Sequence, residues 1–303
     1  MRIQISDTCK AAYRAVSLHA MRKVFDLRLR NGDTLRLGER TIVVGVLNVT
    51  PDSFSDGGKY FDVSRATERA LEMENEGADI IEVGGESTRP GSRRLSESEE
   101  MSRVAPALQE IGKRLRIPIA VDTYKSGVAR AALDLGASII NDISALRFDP
   151  AIADVVHKKS ALLVLMHMRG EPATMQKIEP SRDIFSETKS DFNTALREAE
   201  SRGVRREQII LDPGIGFGKT LEQNLSILKH LDSFEEFDMP LMIGTSRKSF
   251  IGRLTGRAEG DRVFGTAASV AAAILRGAQI IRIHDVKEMV EVARITDAIL
   301  MAD

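Results

Sequence analysis

Ile117-Pro-Ile-Ala-Val-Asp-Thr-Tyr-Lys125 is a short apolar run that stops abruptly in polar residues, and the chain does this eight times. The runs cover 42–47, 79–83, 117–121, 138–140, 161–166, 209–211, 240–243 and 279–283. The other endings read Asn48-Val-Thr-Pro-Asp52, Gly85-Glu-Ser-Thr-Arg89, Asn141-Asp142, His167-Met-Arg169, Asp212-Pro-Gly214, Thr245-Ser-Arg-Lys248 and Arg282-Ile-His-Asp285. The runs are rich in Ile, Val and Leu and mostly do not alternate, which is how strands buried on both faces read. Helix-start signals lie between them. Ser96 with Glu99 and Thr220 with Gln223 fit capping boxes, and Asp149 before Pro150 fits an N-cap followed by proline at the first helical position. Val286, Met289, Val290 and Ala293 recur at helical spacing.

Alternating strands and helices imply a parallel α/β sheet with helices outside. Eight units favour a closed (β/α)8 TIM barrel over the runner-up, an open doubly wound sheet. In a barrel the carboxyl ends of all strands meet at one mouth, where active sites are built. Upstream, Phe25, Leu27 and Leu29 alternate with polar residues before Asn31–Gly32, and Leu35 and Leu37 follow. Asn-Gly between alternating strands signals a β-hairpin with positive φ at both turn residues; it is expected to cover the bottom of the barrel. Residues 1–23 read as an N-terminal extension and 24–303 as a single barrel domain.

The 303 residues are 43% hydrophobic and 29% charged, with a net charge of −1. Nothing in that balance draws the chain to nucleic acid or to an anionic membrane, so any anion must be held by local positive groups. A lone cysteine, Cys9, excludes a disulfide framework within one chain and fits a reducing cytoplasm. No run of about 18 apolar residues suggests a membrane span. Scattered charges near the start make a poor signal peptide.

The chemistry gathers at the strand endings. The loop from Asn48 to Lys59 carries Pro51, Phe54, Gly57 and Gly58 and is longer than the usual βα loop of about 2–6 residues. It reads as a lid, with Asn48 offering an amide oxygen to a hard cation. Thr88 and Arg89 suit phosphate oxygens, whereas Arg93 and Arg94 read as a solvated basic loop. Asp122, Asn141 and Asp212 each stand just past an apolar run. Three acceptors converging on one mouth suit a flat heterocycle with N–H and amino groups along one edge, although Asp122 alone also reads as a helix N-cap.

Gly214-Ile-Gly-Phe-Gly-Lys219 is not a P-loop, because Pro213 occupies the position of its first glycine. It reads as a glycine loop that brings backbone close to a planar ligand. Lys248, Arg282 and His284 follow strands seven and eight, the usual phosphate site of such barrels. His284 as a satisfied core histidine is the competing reading. His157 and His167 read as structural.

These segments together resemble dihydropteroate synthase. Gly45-Val-Leu-Asn-Val-Thr-Pro-Asp-Ser-Phe-Ser-Asp-Gly-Gly58 is similar to its first signature and Gly84-Gly-Glu-Ser-Thr-Arg-Pro-Gly91 to its second. Val121-Asp-Thr-Tyr-Lys125, Ile140-Asn-Asp-Ile143, the glycine loop, Ser246-Arg-Lys-Ser249 and Arg282-Ile-His-Asp-Val286 continue in family order over about residues 24–300. The resemblance implies a cytoplasmic, homodimeric transferase of folate synthesis and a target of sulfonamides. Its reaction joins p-aminobenzoate to 6-hydroxymethyl-7,8-dihydropterin diphosphate with Mg2+, releasing pyrophosphate. Carried over by position, Asp122, Asn141, Asp212 and Lys248 bind the pterin and Met166 packs on its ring. Thr88, Arg89, Arg282 and His284 hold the diphosphate. Phe217, Lys248 and Ser249 form the p-aminobenzoate pocket, Asn48 contacts Mg2+, and Asp122, Lys248 and Arg282 are catalytic. The segment Pro180-Ser-Arg-Asp183 lacks a tyrosine that the family commonly has.

Other classes fit less well. A pterin-dependent corrinoid methyltransferase has no need of a diphosphate site, so Arg89, Arg282 and His284 argue against it. A Schiff-base aldolase would use Lys248 alone. A non-catalytic pterin-binding paralogue predicts loss of a loop or of Lys248, and neither is missing.

Overall fold

The computed structural model describes residues 22–50, 63–89 and 91–302. Most of the expected lid, Pro90, Cys9 and nearly all of the expected extension lie outside them. Two antiparallel strands, β1 (Phe25–Arg28) and β2 (Thr34–Leu37), form a hairpin. Eight parallel strands follow: β3 (Ile42–Asn48), β4 (Ile80–Gly84), β5 (Ile119–Asp122), β6 (Ile139–Asp142), β7 (Leu162–Met166), β8 (Ile209–Asp212), β9 (Met242–Ile243) and β10 (Ile280–Ile283). Their order is β8-β7-β6-β5-β4-β3-β10-β9. A parallel bridge between Leu211 and Leu241, with the Leu211 amide donating to Pro240 O at 2.9 Å, joins the two ends. That closure makes the fold a (β/α)8 TIM barrel and excludes the open sheet. Among the described residues, no helix is long and apolar enough to cross a membrane.

Both capping boxes form. Ser96 Oγ accepts from Glu99 N at 3.2 Å while Glu99 Oε2 accepts from Ser96 N at 2.8 Å, and Thr220 Oγ1 accepts from Gln223 N at 3.2 Å. The helix after Asp149 starts one residue later than expected, at Ala151, with Pro150 in the capping position. Asp149 serves two helices instead, accepting from Ala151 N at 3.1 Å and Ser126 N at 2.7 Å. The hairpin turn also differs from expectation. Only Gly32 has positive φ, at +94°. Asn31 keeps an ordinary backbone and its Oδ1 accepts from Asp33 N at 3.1 Å, so a longer Asx-type turn replaces the two-residue one.

Strand parity organises the interior. Ile42, Val44, Ile80, Ala120, Ile139, Leu162, Val164, Ile210, Met242 and Ile280 fill the lower barrel and pack against Leu27, Leu29 and Leu37 of the hairpin. The hairpin therefore caps the bottom. The alternate residues, such as Ile81, Val121, Ile140, Leu163, Leu211 and Ile281, face the helices. Side chains alternate along a strand. Two residues above each inward apolar side chain the chain therefore turns inward again, and there it carries Glu82, Asp122, Asn141, Met166, Asp212 and Arg282. Strands β4, β5, β6, β8 and β10 thus change from apolar to polar as they reach the mouth, while β7 keeps an apolar side chain there in Met166.

Candidate active site

Asp122, Asn141, Met166, Asp212, Phe217, Lys248 and Arg282 line one cavity at the mouth, together with Ile143 and three residues of the glycine and β9 loops. Strands β5, β6, β7, β8 and β10 and the loops after β8 and β9 supply them. Their own side chains nearly fill the space, leaving about 10 Å³ open.

Glu82, which sequence reasoning passed over, holds the site together. It is 1% exposed. It accepts from Arg282 Nε at 2.6 Å and from Asn141 Nδ2 at 2.9 Å. Arg282 also donates to Asp122 Oδ2 at 3.0 Å. One half-buried guanidinium thus serves two carboxylates, as its rigid fork allows. Burial works against the Arg282 charge, but Glu82 and then Asp122 outweigh it and hold the group protonated above its ordinary range. A signal for Glu82 existed: a charged residue inside a run otherwise buried on both faces, in register with Ile80.

The other charges press on one another. Burial, and then the charge of Glu82, raise the Asp122 pKa to about 8, opposed by Arg282. Burial raises Asp212 to about 6, opposed by its bond from the Gly214 amide and by Lys248. Burial, and then the charge of Arg282, lower Lys248 to about 8. Shifted groups converging in one cleft mark a functional site. Lys248 Nζ lies 4.1 Å from the centroid of the Phe217 ring, over its face.

The glycine loop is shaped by close approach. Gly214, Gly216 and Gly218 all have positive φ, and a Cβ on Gly214 would stand 1.9 Å from His167 O. Lys219 is 7% exposed and donates to Gly214 O at 2.8 Å, His167 O at 3.2 Å and Phe217 O at 3.3 Å. It stitches the loop to β7 rather than meeting a phosphate. On the loop after β5, Lys125 is buried between Glu86 and Glu100, and the Tyr124 hydroxyl also donates to Glu86.

The remaining candidates lie around the rim. Asn48 ends β3 half-buried, and its Oδ1 would be 3.5 Å from a Cβ on Gly84, so that glycine keeps room for it. Thr88, four residues after Gly84, is half-buried, and Ser249 is exposed at the start of a helix. Arg89 points away from the cavity, 71% exposed, and pairs with Glu259 at 2.6 Å. His284 is not a cavity wall: its Nδ1 sits 3.0 Å from Ser246 Oγ, and burial, then the charge of Arg282, lower its pKa to about 3. It offers a neutral ring at the rim. Arg247 has φ +57° and its guanidinium is held by Asp285, with Nε at 3.1 Å, which turns Lys248 inward.

Residues 44–284 match the family described as pterin binding enzyme. The dihydropteroate synthase of Bacillus subtilis is 46% identical over 262 residues, 86% of this chain and 90% of that one. The Yersinia pestis dihydropteroate synthase, solved with a sulfonamide drug complex, superposes with a TM-score of 0.87 at 40% identity, over 92% of this chain and all of that one. The Xanthomonas albilineans dihydropteroate synthase with 4-aminobenzoic acid gives 0.86 at 38% identity, over 93% of this chain. The chain belongs to the pterin-binding enzymes, a class this barrel mouth lined with acceptors also defines. Its branch of that family is dihydropteroate synthase, a transferase of folate biosynthesis.

Proposed function

We propose that the mouth cavity binds 6-hydroxymethyl-7,8-dihydropterin diphosphate and that p-aminobenzoate displaces its diphosphate, giving 7,8-dihydropteroate and pyrophosphate. One observation carries this reading: Asp122, Asn141 and Asp212 face one another across a cavity that also holds Lys248 and Arg282. The three acceptors take the N–H and amino edge of the pterin, while Met166 packs against its face. Lys248 leaves the Phe217 ring as the pterin enters, which opens the narrow cavity. Phe217, Lys248 and Ser249 then flank p-aminobenzoate. Arg282, Thr88 and His284 receive the diphosphate, with His284 donating as a neutral ring. Arg89 serves only from the rim.

The leaving group is already good, so little acid–base work is needed. Arg282 and Lys248 stabilise the departing negative charge. Positive charge grows on the pterin methylene as its C–O bond breaks; that charge draws down the raised pKa of Asp122 and leaves a carboxylate of the right sign beside it. Asn48 Oδ1 is a hard oxygen donor at the mouth, which suits Mg2+, a cation that takes one or two protein oxygens and otherwise water and phosphate. When bound there, the cation neutralises diphosphate charge.

Residues 24–303 act as one cytoplasmic unit, with 1–23 as an extension. Phe264 is 85% exposed and Leu254 55%, on helices Val263–Leu275 and Ser249–Thr255 that pack together. That apolar face supports a homodimer. The test of the activity is pyrophosphate release in the presence of Mg2+. Release should require both the pterin diphosphate and p-aminobenzoate, and Asp122→Asn and Lys248→Ala should each lower it by roughly a hundredfold or more while remaining folded. Release that needs only one substrate would defeat the assignment.

A further inference from the structure

The parity that turns Met166 into the mouth turns His167 the opposite way, toward helix Ile184–Ser201. There His167 is 2% exposed. Its Nδ1 lies 3.3 Å from Thr188 Oγ1. Its Nε2 is buried and has no hydrogen-bond partner among the described residues. Asp191 Oδ2 stands 3.2 Å from Nε2 without aligning as a hydrogen bond. A neutral imidazole beside a carboxylate is the protonation state that ligates a metal.

We propose that this place behind β7 binds a divalent d-block cation, Zn2+ or Co2+, ligated by His167 Nε2 and Asp191 with Glu187 as a third, weaker ligand. His167, Glu187 and Asp191 each present one ligand atom, all within 4.8 Å of one another. Glu187 and Asp191 are one helical turn apart and share a face. Two donors at about 2.0–2.1 Å from a tetrahedral zinc stand roughly 3.3–3.4 Å apart, close to the 3.2 Å between His167 and Asp191. With Nε2 on the metal, Nδ1–H donates to Thr188 Oγ1, the outer contact that fixes a ligating ring.

The surroundings set the strength and the choice of ion. Arg169 Nε already holds Glu187 at 2.6 Å. Arg169 and Lys219 make the region more positive, so the affinity rests on His167 and Asp191 and is moderate. An imidazole nitrogen with carboxylate oxygen favours Zn2+ or Co2+ over Mg2+, which prefers oxygen alone. A cavity of about 270 Å³, lined by Leu146, Met168 and Phe192 as well as His167 and Asp191, leaves room for water or another exogenous ligand. Met166 borders this cavity and the mouth alike, so the cation sits directly behind the floor of the pterin site.

The test is calorimetric titration of the full chain with Zn2+, and separately Co2+, in excess Mg2+. Asp191 is the residue to change, because its side chain is 46% exposed and serves neither the mouth nor the glycine loop. The wild type should bind one equivalent with a micromolar constant, give the intense visible bands of four-coordinate Co2+ and unfold at a higher temperature with Zn2+ than with chelator. Asp191→Asn and Asp191→Ala should weaken binding at least tenfold and lose the Co2+ bands and the thermal shift, while unfolding in chelator as the wild type does. Absence of binding to the wild type, or equal binding to both variants, overturns the proposal.

Discussion

Arg282 Nε donates to Glu82 Oε1 across 2.6 Å inside the barrel, joining the first and last thirds of the chain beneath the mouth. The same Glu82 orients Asn141, and the same Arg282 reaches Asp122. A buried ion pair need not stabilise a fold, but removing one partner strands the other, at a cost of about 3–5 kcal/mol. Because Asp122 still partners Arg282, Glu82→Ala should cost about 3 kcal/mol, at the low end. Glu82→Gln, which keeps the shape, should fold well but lower kcat/KM for the pterin diphosphate about tenfold. Denaturant midpoints and initial rates measure both. A Glu82→Ala protein as stable as the wild type would remove Glu82 from this role.

Gly214 has φ +66° and no space for a Cβ, with His167 O 1.9 Å from where it would lie. Gly32 has φ +94° with nothing within 4 Å. The pair separates backbone strain from collision. Gly32→Ala should cost about 1–2 kcal/mol, the strain of a left-handed residue alone. Gly214→Ala should cost more than that and lose most activity, because Phe217 and Lys219 move with the loop. Equal losses of stability in the two variants, with activity kept, would show that the close approach does not matter.

The barrel was legible because eight apolar endings repeat, and repetition survives errors in any one element. Asp122, Asn141, Asp212, Lys248 and Arg282 were legible because barrel closure brings strand ends together whatever their separation in sequence. Glu82 was not singled out because it lies inside its apolar run, where only parity with Ile80 marks it. The signature around Arg89 carries no trace of Glu259, which pairs with it across the rim from a segment 170 residues away in sequence. The Asn31–Gly32 turn misled for a local reason: the Asn31 side chain completes the turn and frees its backbone from positive φ.

Phe264 tests the homodimer. It is 85% exposed at the start of helix Val263–Leu275, which packs on the helix that carries Leu254, 55% exposed. Burying a large apolar side chain contributes about 1.5–3 kcal/mol, and a two-fold interface counts each such residue twice. Phe264→Glu should therefore shift the sedimenting species from twice the 33.3 kDa chain mass to the chain mass itself. Its helicity should be unchanged. A wild type that sediments as a monomer at micromolar concentration would end the argument.

Pterin affinity should follow a bell-shaped pH profile. Asp212 has a pKa raised to about 6 and Lys248 one lowered to about 8. Affinity should rise as Asp212 loses its proton and becomes a full acceptor, and fall as Lys248 loses its charge. The two limbs belong to a coupled set of groups rather than to single residues. Stability runs the other way on the acid side. Asp212 binds its proton more tightly folded than unfolded, so from its ordinary value near 4 up to about 6 its contribution to stability falls as pH rises. Binding of 6-hydroxymethyl-7,8-dihydropterin, which carries no phosphate, isolates these protein groups from diphosphate titration. Lys248→Arg keeps the charge at all accessible pH, so it should abolish the alkaline limb and leave the acid one in place. An affinity that stays flat between about pH 5 and 9 would mean that neither group meets the pterin in its charged form.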